Sequence, residues 1–257
     1  MALSIGWKRI GKRGSEQKEE DVSMKIVLIH GQGHKGITYT MSHCVLDKLK
    51  EEETQIQEFF LPKDGPGFCV GCNQCFLNGE EHCPEQAKVQ PVIKAIEWAD
   101  VVMLDTPNYC MDMSGAMKTL LDHFAYRWVT HRPHASMFQK VGVTLSSSAG
   151  APPNGTVKSL AKQLKWMCVP KVFTFPFVSN AMGVAGLSEK KKKVMEKKAE
   201  KIAKKVRRAL KRRRVGIRTK MQFLMFRGMQ TGESSSWNPT DRSWWEENGW
   251  LGKKRPW

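Results

Sequence analysis

Four stretches of the chain, at 24–30 (MKIVLIH), 99–106 (ADVVMLDT), 141–145 (VGVTL) and 169–178 (VPKVFTFPFV), are apolar at consecutive rather than alternate positions. A strand apolar on both faces belongs in a parallel sheet covered by helices. A weaker run at 56–61 precedes Pro62. Helix-period segments lie between the runs, at about 38–53, 87–98, 114–128 and 155–167. Strand and helix alternate five times, which predicts an α/β fold with a doubly wound sheet. No internal repeat is present.

The last third is organised differently. Ser188 is a candidate N-cap, and Met195, Ala199, Ile202, Val206 and Leu210 then form one apolar stripe in a lysine- and arginine-rich helix ending before Gly216. This reads as the last helix of the domain, docked by its stripe and solvated on its basic face. The apolar run 221–226 is only six residues long, and five of the nine tryptophans fall within 237–257. A tail this aromatic is expected to fold over its own domain or a partner subunit. The expected organisation is a disordered lead at 1–23, a folded domain at 24–214 and an extension at 215–257.

Charge first suggests nucleic acid: 42 Lys and Arg against 25 Asp and Glu give a net +17. Its distribution changes that picture. Residues 189–220 carry 17 basic and three acidic groups, so +14 sits on one segment and the rest is nearly balanced. Nucleic acid and membrane are therefore not the expected partners, and binding to either through 189–220 is kept as a rival reading. The 40% hydrophobic content excludes disorder throughout. There is no apolar run of transmembrane length and no signal-type leader, and the seven cysteines are an odd number. Together these predict a cytoplasmic protein.

Candidate chemistry gathers at strand ends. The turn 30–38 (HGQGHKGIT) opens a helix whose free N–H groups suit phosphate, although its Gly-x-Gly-x-x-Gly spacing is a weak signal alone. The loops 106–115 (TPNYCMDMSG) and 146–155 (SSSAGAPPNG) follow the third and fourth runs. Ligands of open α/β sheets sit beyond the carboxyl ends of the strands. The three loops describe a mononucleotide-sized site.

Residues 24–188 resemble the flavodoxin-like NAD(P)H-dependent FMN reductases, including the iron–sulfur flavoproteins. The resemblance is carried by the loop 31–38, by Thr106-Pro-Asn-Tyr109 with Ser114-Gly115-x-x-Lys118, and by a cysteine cluster. It implies a flavodoxin-like three-layer sandwich with a five-stranded parallel sheet in the order 2-1-3-4-5. It implies that Gln32, His34, Gly36, Ile37 and Thr38 hold the FMN phosphate. Pro107, Asn108 and Tyr109 would line the isoalloxazine, and Ser146, Ser147, Ser148, Ala149 and Gly150 would close its far side. Where the family often has Ser-Pro and Gly-Asn-Thr, this chain has Gln32-Gly33 and Gly36-Ile37-Thr38. Backbone donors survive those changes, but an asparagine side-chain contact would be lost at Ile37.

The expected function is hydride and electron transfer from NAD(P)H through FMN to a quinone, flavin, nitro-compound or iron–sulfur partner, by a homo-oligomer. A non-enzymatic electron carrier is the alternative. The flavin does the chemistry, so no side chain is named as catalytic. The cluster Cys69-x-x-Cys72-x-x-Cys75-x7-Cys83-Pro84 admits three occupants: a 4Fe-4S cluster, free structural or redox thiols, or zinc. Cys44, Cys110 and Cys168 read as small buried hydrophobes, and His123, His131 and His134 as ordinary loop histidines.

Overall fold

The computed structural model describes residues 23–232 and 238–257. In chain order the elements are β1 (Lys25–His30), α1 (Ile37–Leu49), β2 (Gln55–Phe60), α2 (Gln74–Leu77), α3 (Gln86–Trp98), β3 (Val101–Pro107) and α4 (Gly115–Asp122). Then follow β4 (Val141–Ser148), α5 (Asn154–Trp166), β5 (Lys171–Val178), α6 (Glu189–Arg212), α7 (Ile217–Thr231) and α8 (Pro239–Glu247). The five strands pair in parallel in the order β2-β1-β3-β4-β5, the flavodoxin-like sheet that the resemblance implied.

Alternate residues of the buried strands feed two cores, as the pleat requires. Ile26, Leu28, Val101 and Met103 pack with Met41 and Val45 of α1 and with Met195, Ile202 and Val206 of α6. Val27, Ile29, Val102 and Leu104 face Val92 and Ile96 of α3, Leu120 of α4 and Leu160 of α5. Phe223 of α7, Trp245 of α8 and Trp250 close this second layer, so the aromatic tail lies on its own domain. Trp245 and Trp250 are almost wholly buried. Trp237 and the expected disordered lead, apart from Ser23, fall outside the described residues.

Several elements differ from their sequence pattern. The helix expected over 114–128 ends at Asp122. Beyond it Phe124, Tyr126 and Val129 are buried while Arg127 reaches Glu80 and Glu97 at 2.9 and 2.8 Å, a spacing that a continued helix would not serve. The strand expected over 141–145 continues to Ser148 by pairing with β5, which takes in three residues read as loop. The basic helix stops at Arg212, where Arg213 turns left-handed, and 217–231 forms the separate helix α7. Its sequence period is masked because it is apolar on two opposite faces.

Candidate functional site

The carboxyl ends of β1, β3 and β4 meet along one cleft of about 630 Å³. That is the size of a small-molecule site. Gln32, His34, Gly36, Ile37 and Thr38 line one side, and Pro107, Asn108 and Tyr109 another. Ser147, Ser148 and Ala149 supply the third. Ser146 and Gly150 do not line it: the Ser146 side chain turns into the sheet, wholly buried, with its Oγ unpartnered. Sequence reasoning missed Lys35 and the segment after β5, where Ser179, Ala181, Met182 and Val184 complete the lining. The parallel pairing of β5 with β4 could have pointed there, since the loop after β5 leaves the same end of the sheet.

Local bonds hold the three loops together. Gly31 N donates to the Asp105 carbonyl at 2.7 Å, and Ser114 Oγ donates to the Gly31 carbonyl at 2.6 Å. Ser114 N in turn donates to Thr106 Oγ1 at 2.9 Å. The hydroxyls of Thr38 and Ser147 share a proton-bearing contact of 2.6 Å, and Asn108 N donates to the Ser147 carbonyl at 3.0 Å. Tyr109 and Asp112 exchange backbone bonds at 2.9 and 3.0 Å in a tight turn, with Cys110 and Met111 at positive φ. That turn leaves the Tyr109 ring half exposed at the mouth of the cleft. It also exposes Cys110, which was expected to be buried; Cys168 is buried as expected and Cys44 half-buried.

The residues fit an anionic mononucleotide. Helix α1 has Gly36 as its N-cap and no side-chain cap, so its first amides remain free donors at the positive end of the dipole. Gln32 is buried and its Nε2 has no hydrogen-bond partner, an unmet donor on the cleft wall. Lys35 adds positive charge while stacking over Tyr39 at 5.2 Å. Beneath the loop, His30 is wholly buried at the end of β1, with Nδ1 2.6 Å from Asp105 Oδ2 and Nε2 3.7 Å from Glu58. Burial is the largest influence on its pKa and lowers it. The hydrogen bond and charge of Asp105, with the charge of Glu58, outweigh that and leave it above the usual imidazole value. Polar residues ending two apolar strands at paired register positions were the available signal.

The four clustered cysteines line a second pocket of about 140 Å³, together with His123. Cys69 and Cys72 are exposed, Cys75 and Cys83 half-buried. Burial, with neighbouring thiols, pushes Cys75 up to about 11. His123 is not an ordinary loop histidine: Nε2 lies 3.0 Å from the Gly67 carbonyl and Nδ1 3.6 Å from Cys83 Sγ. The first contact makes Nε2 the donor and leaves Nδ1 to accept from the thiol. Among the described residues no group of three or more His, Cys, Asp or Glu side chains is gathered as the ligands of a single metal ion. His131, which had no carboxylate near it in sequence, meets Asp241 of α8 at 2.6 Å. Asp241 also binds Arg132 at 2.7 Å, and Arg132 donates to the Cys75 carbonyl. The tail is thereby wired to the cysteine loop.

A parallel β2-β1-β3-β4-β5 sheet with a phosphate-suited helix end and a cleft at its strand ends defines a flavodoxin-like protein. The sequence model of NADPH-dependent FMN reductases matches residues 24–182, and the chain belongs to that family of oxidoreductases. An iron–sulfur flavoprotein of Methanocaldococcus jannaschii is 29% identical over 99 residues, 38% of this chain and 50% of that protein. An iron–sulfur flavoprotein of Archaeoglobus fulgidus is 26% identical over 157 residues, 60% of this chain and 69% of that protein. The chain thus spans between half and about two thirds of these relatives. The crystal structure of azoreductase AzrA matches with a TM-score of 0.57 at 15% identity, over 70% of this chain and 99% of that one, a likeness of fold. Helices α6, α7 and α8 lie beyond the family match.

Proposed function

We propose that the chain is an FMN-dependent oxidoreductase that takes reducing equivalents from NAD(P)H and passes them to a diffusible acceptor. The observation that carries this is the cleft itself: an uncapped helix start and an unmet Gln32 donor on one side, and the Tyr109 turn on the other. Bound FMN would supply the hydride and electron chemistry. The chain's own residues do the rest. The amides of Ile37 and Thr38, with Gln32 Nε2, would hold the phosphate. Pro107, Asn108 and Tyr109 would set one wall for a planar ring, and Ser147, Ser148 and Ala149 the other. Thr38 and Ser147, already bonded, fix the two walls relative to each other. The rim carries exposed apolar side chains, Tyr109, Met111, Met182 and Val184, which leaves room for a nicotinamide and then an acceptor to approach in turn.

The test is the spectrum and turnover of the purified chain. Bound flavin, oxidation of NADH or NADPH, and loss of flavin retention in a Thr38→Ala/Tyr109→Ala variant are expected. Flavin binding without turnover by either nicotinamide would favour the electron carrier. Full flavin occupancy in the double variant would contradict the placement.

The cysteine pocket supports a further reading, a 4Fe-4S cluster on Cys69, Cys72, Cys75 and Cys83. The donor set fits in kind and number, since four thiols line one pocket. Iron and sulfide analysis, with loss of both in Cys72→Ser, tests it; a chain free of iron after anaerobic preparation would leave the pocket to thiols.

A further inference from the structure

Helix α7 is apolar on two opposite faces. Thr219, Phe223, Phe226 and Gln230 face the core. On the other side Ile217, Met221, Leu224, Met225 and Met229 are 44–77% exposed. At 100° per residue these five fall within an arc of about 140°. They form a continuous stripe along a 15-residue helix rather than scattered surface hydrophobes.

The chain around the stripe is basic, with Asp100 meeting Arg213 at 3.4 Å. No acidic residue occurs between positions 213 and 232, while Arg213, Arg214, Arg218, Lys220 and Arg227 do. Arg218 is exposed within the same arc, next to Ile217 at the amino end of the helix. On one flank Arg227 donates to the carbonyls of Trp250 and Leu251 at 2.8 and 2.6 Å, and Lys220 stacks over Trp257 at 5.4 Å. These contacts hold the chain end, with exposed Lys253 and Lys254, beside the helix. At its amino end Arg213, Arg214, Lys220 and Trp257 line a cleft of about 470 Å³.

We infer that α7 is a membrane-surface helix, and that the occupant of its free face is the headgroup boundary of an anionic bilayer. A helix with an apolar stripe and lysines and arginines along its borders lies in the interface, apolar face inward. Both halves of the surface are then satisfied: the side chains leave water, and the cations meet anionic headgroups. A second copy of the same face would bring its basic groups against those of the first. Nucleic acid would satisfy the cations and leave the apolar stripe in water. No helix among the described residues is long and apolar enough to cross a bilayer, so the contact is peripheral. The inference stands apart from the flavin reading, because α7 lies outside both the cleft and the family match.

Sedimentation of the full chain with sucrose-loaded vesicles tests it. Binding is expected to vesicles of phosphatidylcholine with about 30% phosphatidylglycerol and not to phosphatidylcholine alone. It should weaken as salt rises from about 50 to 500 mM. Met221→Gln/Met225→Gln should weaken partitioning about 30-fold or more, from the apolar area left in water. Arg218→Gln should weaken it about 5-fold. All three positions are exposed, so flavin content and turnover in solution should not change. Four results would each overturn the inference: no binding to anionic vesicles at low salt, equal binding to neutral vesicles, undiminished binding by the double methionine variant, or a dimer lost in that variant while vesicle binding persists. The last would assign the face to a second copy.

Discussion

Replacing Gly31 with alanine puts a methyl group where the end of β1 touches the end of β3. A Cβ there would lie 2.8 Å from Thr106 Oγ1, 2.9 Å from Thr106 Cβ and 3.0 Å from the Asp105 carbonyl oxygen. None of these atoms can swing away. Thr106 is wholly buried and its Oγ1 already accepts from Ser114 N, while Gly31 is tied to Asp105 and Ser114 by its own amide and carbonyl. The strain is relieved only by parting the loop 31–38 from the loop 107–109, the two walls of the cleft. Overpacking of this kind costs about 1–3 kcal/mol, with about 1 kcal/mol more for a broken backbone bond. For a domain of this size that is a fall in Tm of roughly 4–16 °C. A wall displaced by a few tenths of an ångström should also cost about tenfold in FMN affinity. Gly33→Ala is the control, because its Cβ would meet only the Leu61 carbonyl oxygen at 3.7 Å, an ordinary contact. Thermal melts and flavin titration of both variants decide the matter. Unchanged melting and affinity in Gly31→Ala, or equal losses in the two, would refute the reasoning.

The His30–Asp105–Glu58 group predicts a pH dependence. A folded pKa raised above the unfolded 6.5 gives stability that is complete below about 6.5 and is lost as pH climbs through the raised value. Melting temperature should fall over that window in the parent chain and fall less in His30→Gln; parallel curves would contradict the assignment. Asp241→Asn leaves buried Arg132 short of a carboxylate, although Glu80 remains at 3.2 Å. A loss of about 3 kcal/mol is expected in urea unfolding, and a loss under about 0.5 kcal/mol would mean that Asp241 is no clamp. Thiol labelling near neutral pH should modify exposed Cys69 and Cys72 before Cys75, whose pKa is pushed up to about 11. Mass spectrometry of a time course reads the order, and Asp241→Asn should speed the modification of Cys75.

The fold was legible wherever one physical requirement governed a segment. Strands buried on both faces must be apolar at consecutive positions, so β1, β3 and β4 stood out, and parallel pairing needs helices between them. The turn 31–38 and the Tyr109 turn were legible as walls of a cleft, since both follow the carboxyl ends of strands in the sheet. What stayed hidden depends on contacts remote in sequence. The lining from Ser179 to Val184 is set by the pairing of β4 with β5, and Ser146 turns inward because β4 runs three residues further than its apolar run. The His131–Asp241 bond spans 110 residues, so neither residue signalled it. Helix α7 escaped detection because one face serves the core and the opposite face is also apolar, which erases the single stripe by which helices are recognised.

In the proposed function, the cleft between the loops after β1, β3 and β4 binds FMN in reach of a nicotinamide. Anaerobic titration of the FMN-loaded chain with NADPH, followed through the visible flavin band, tests it most directly. Stoichiometric bleaching is expected in the parent chain, and weakened flavin retention when Thr38 and Tyr109 are both replaced by alanine. A chain that neither retains FMN nor bleaches it with NADPH or NADH would contradict the account.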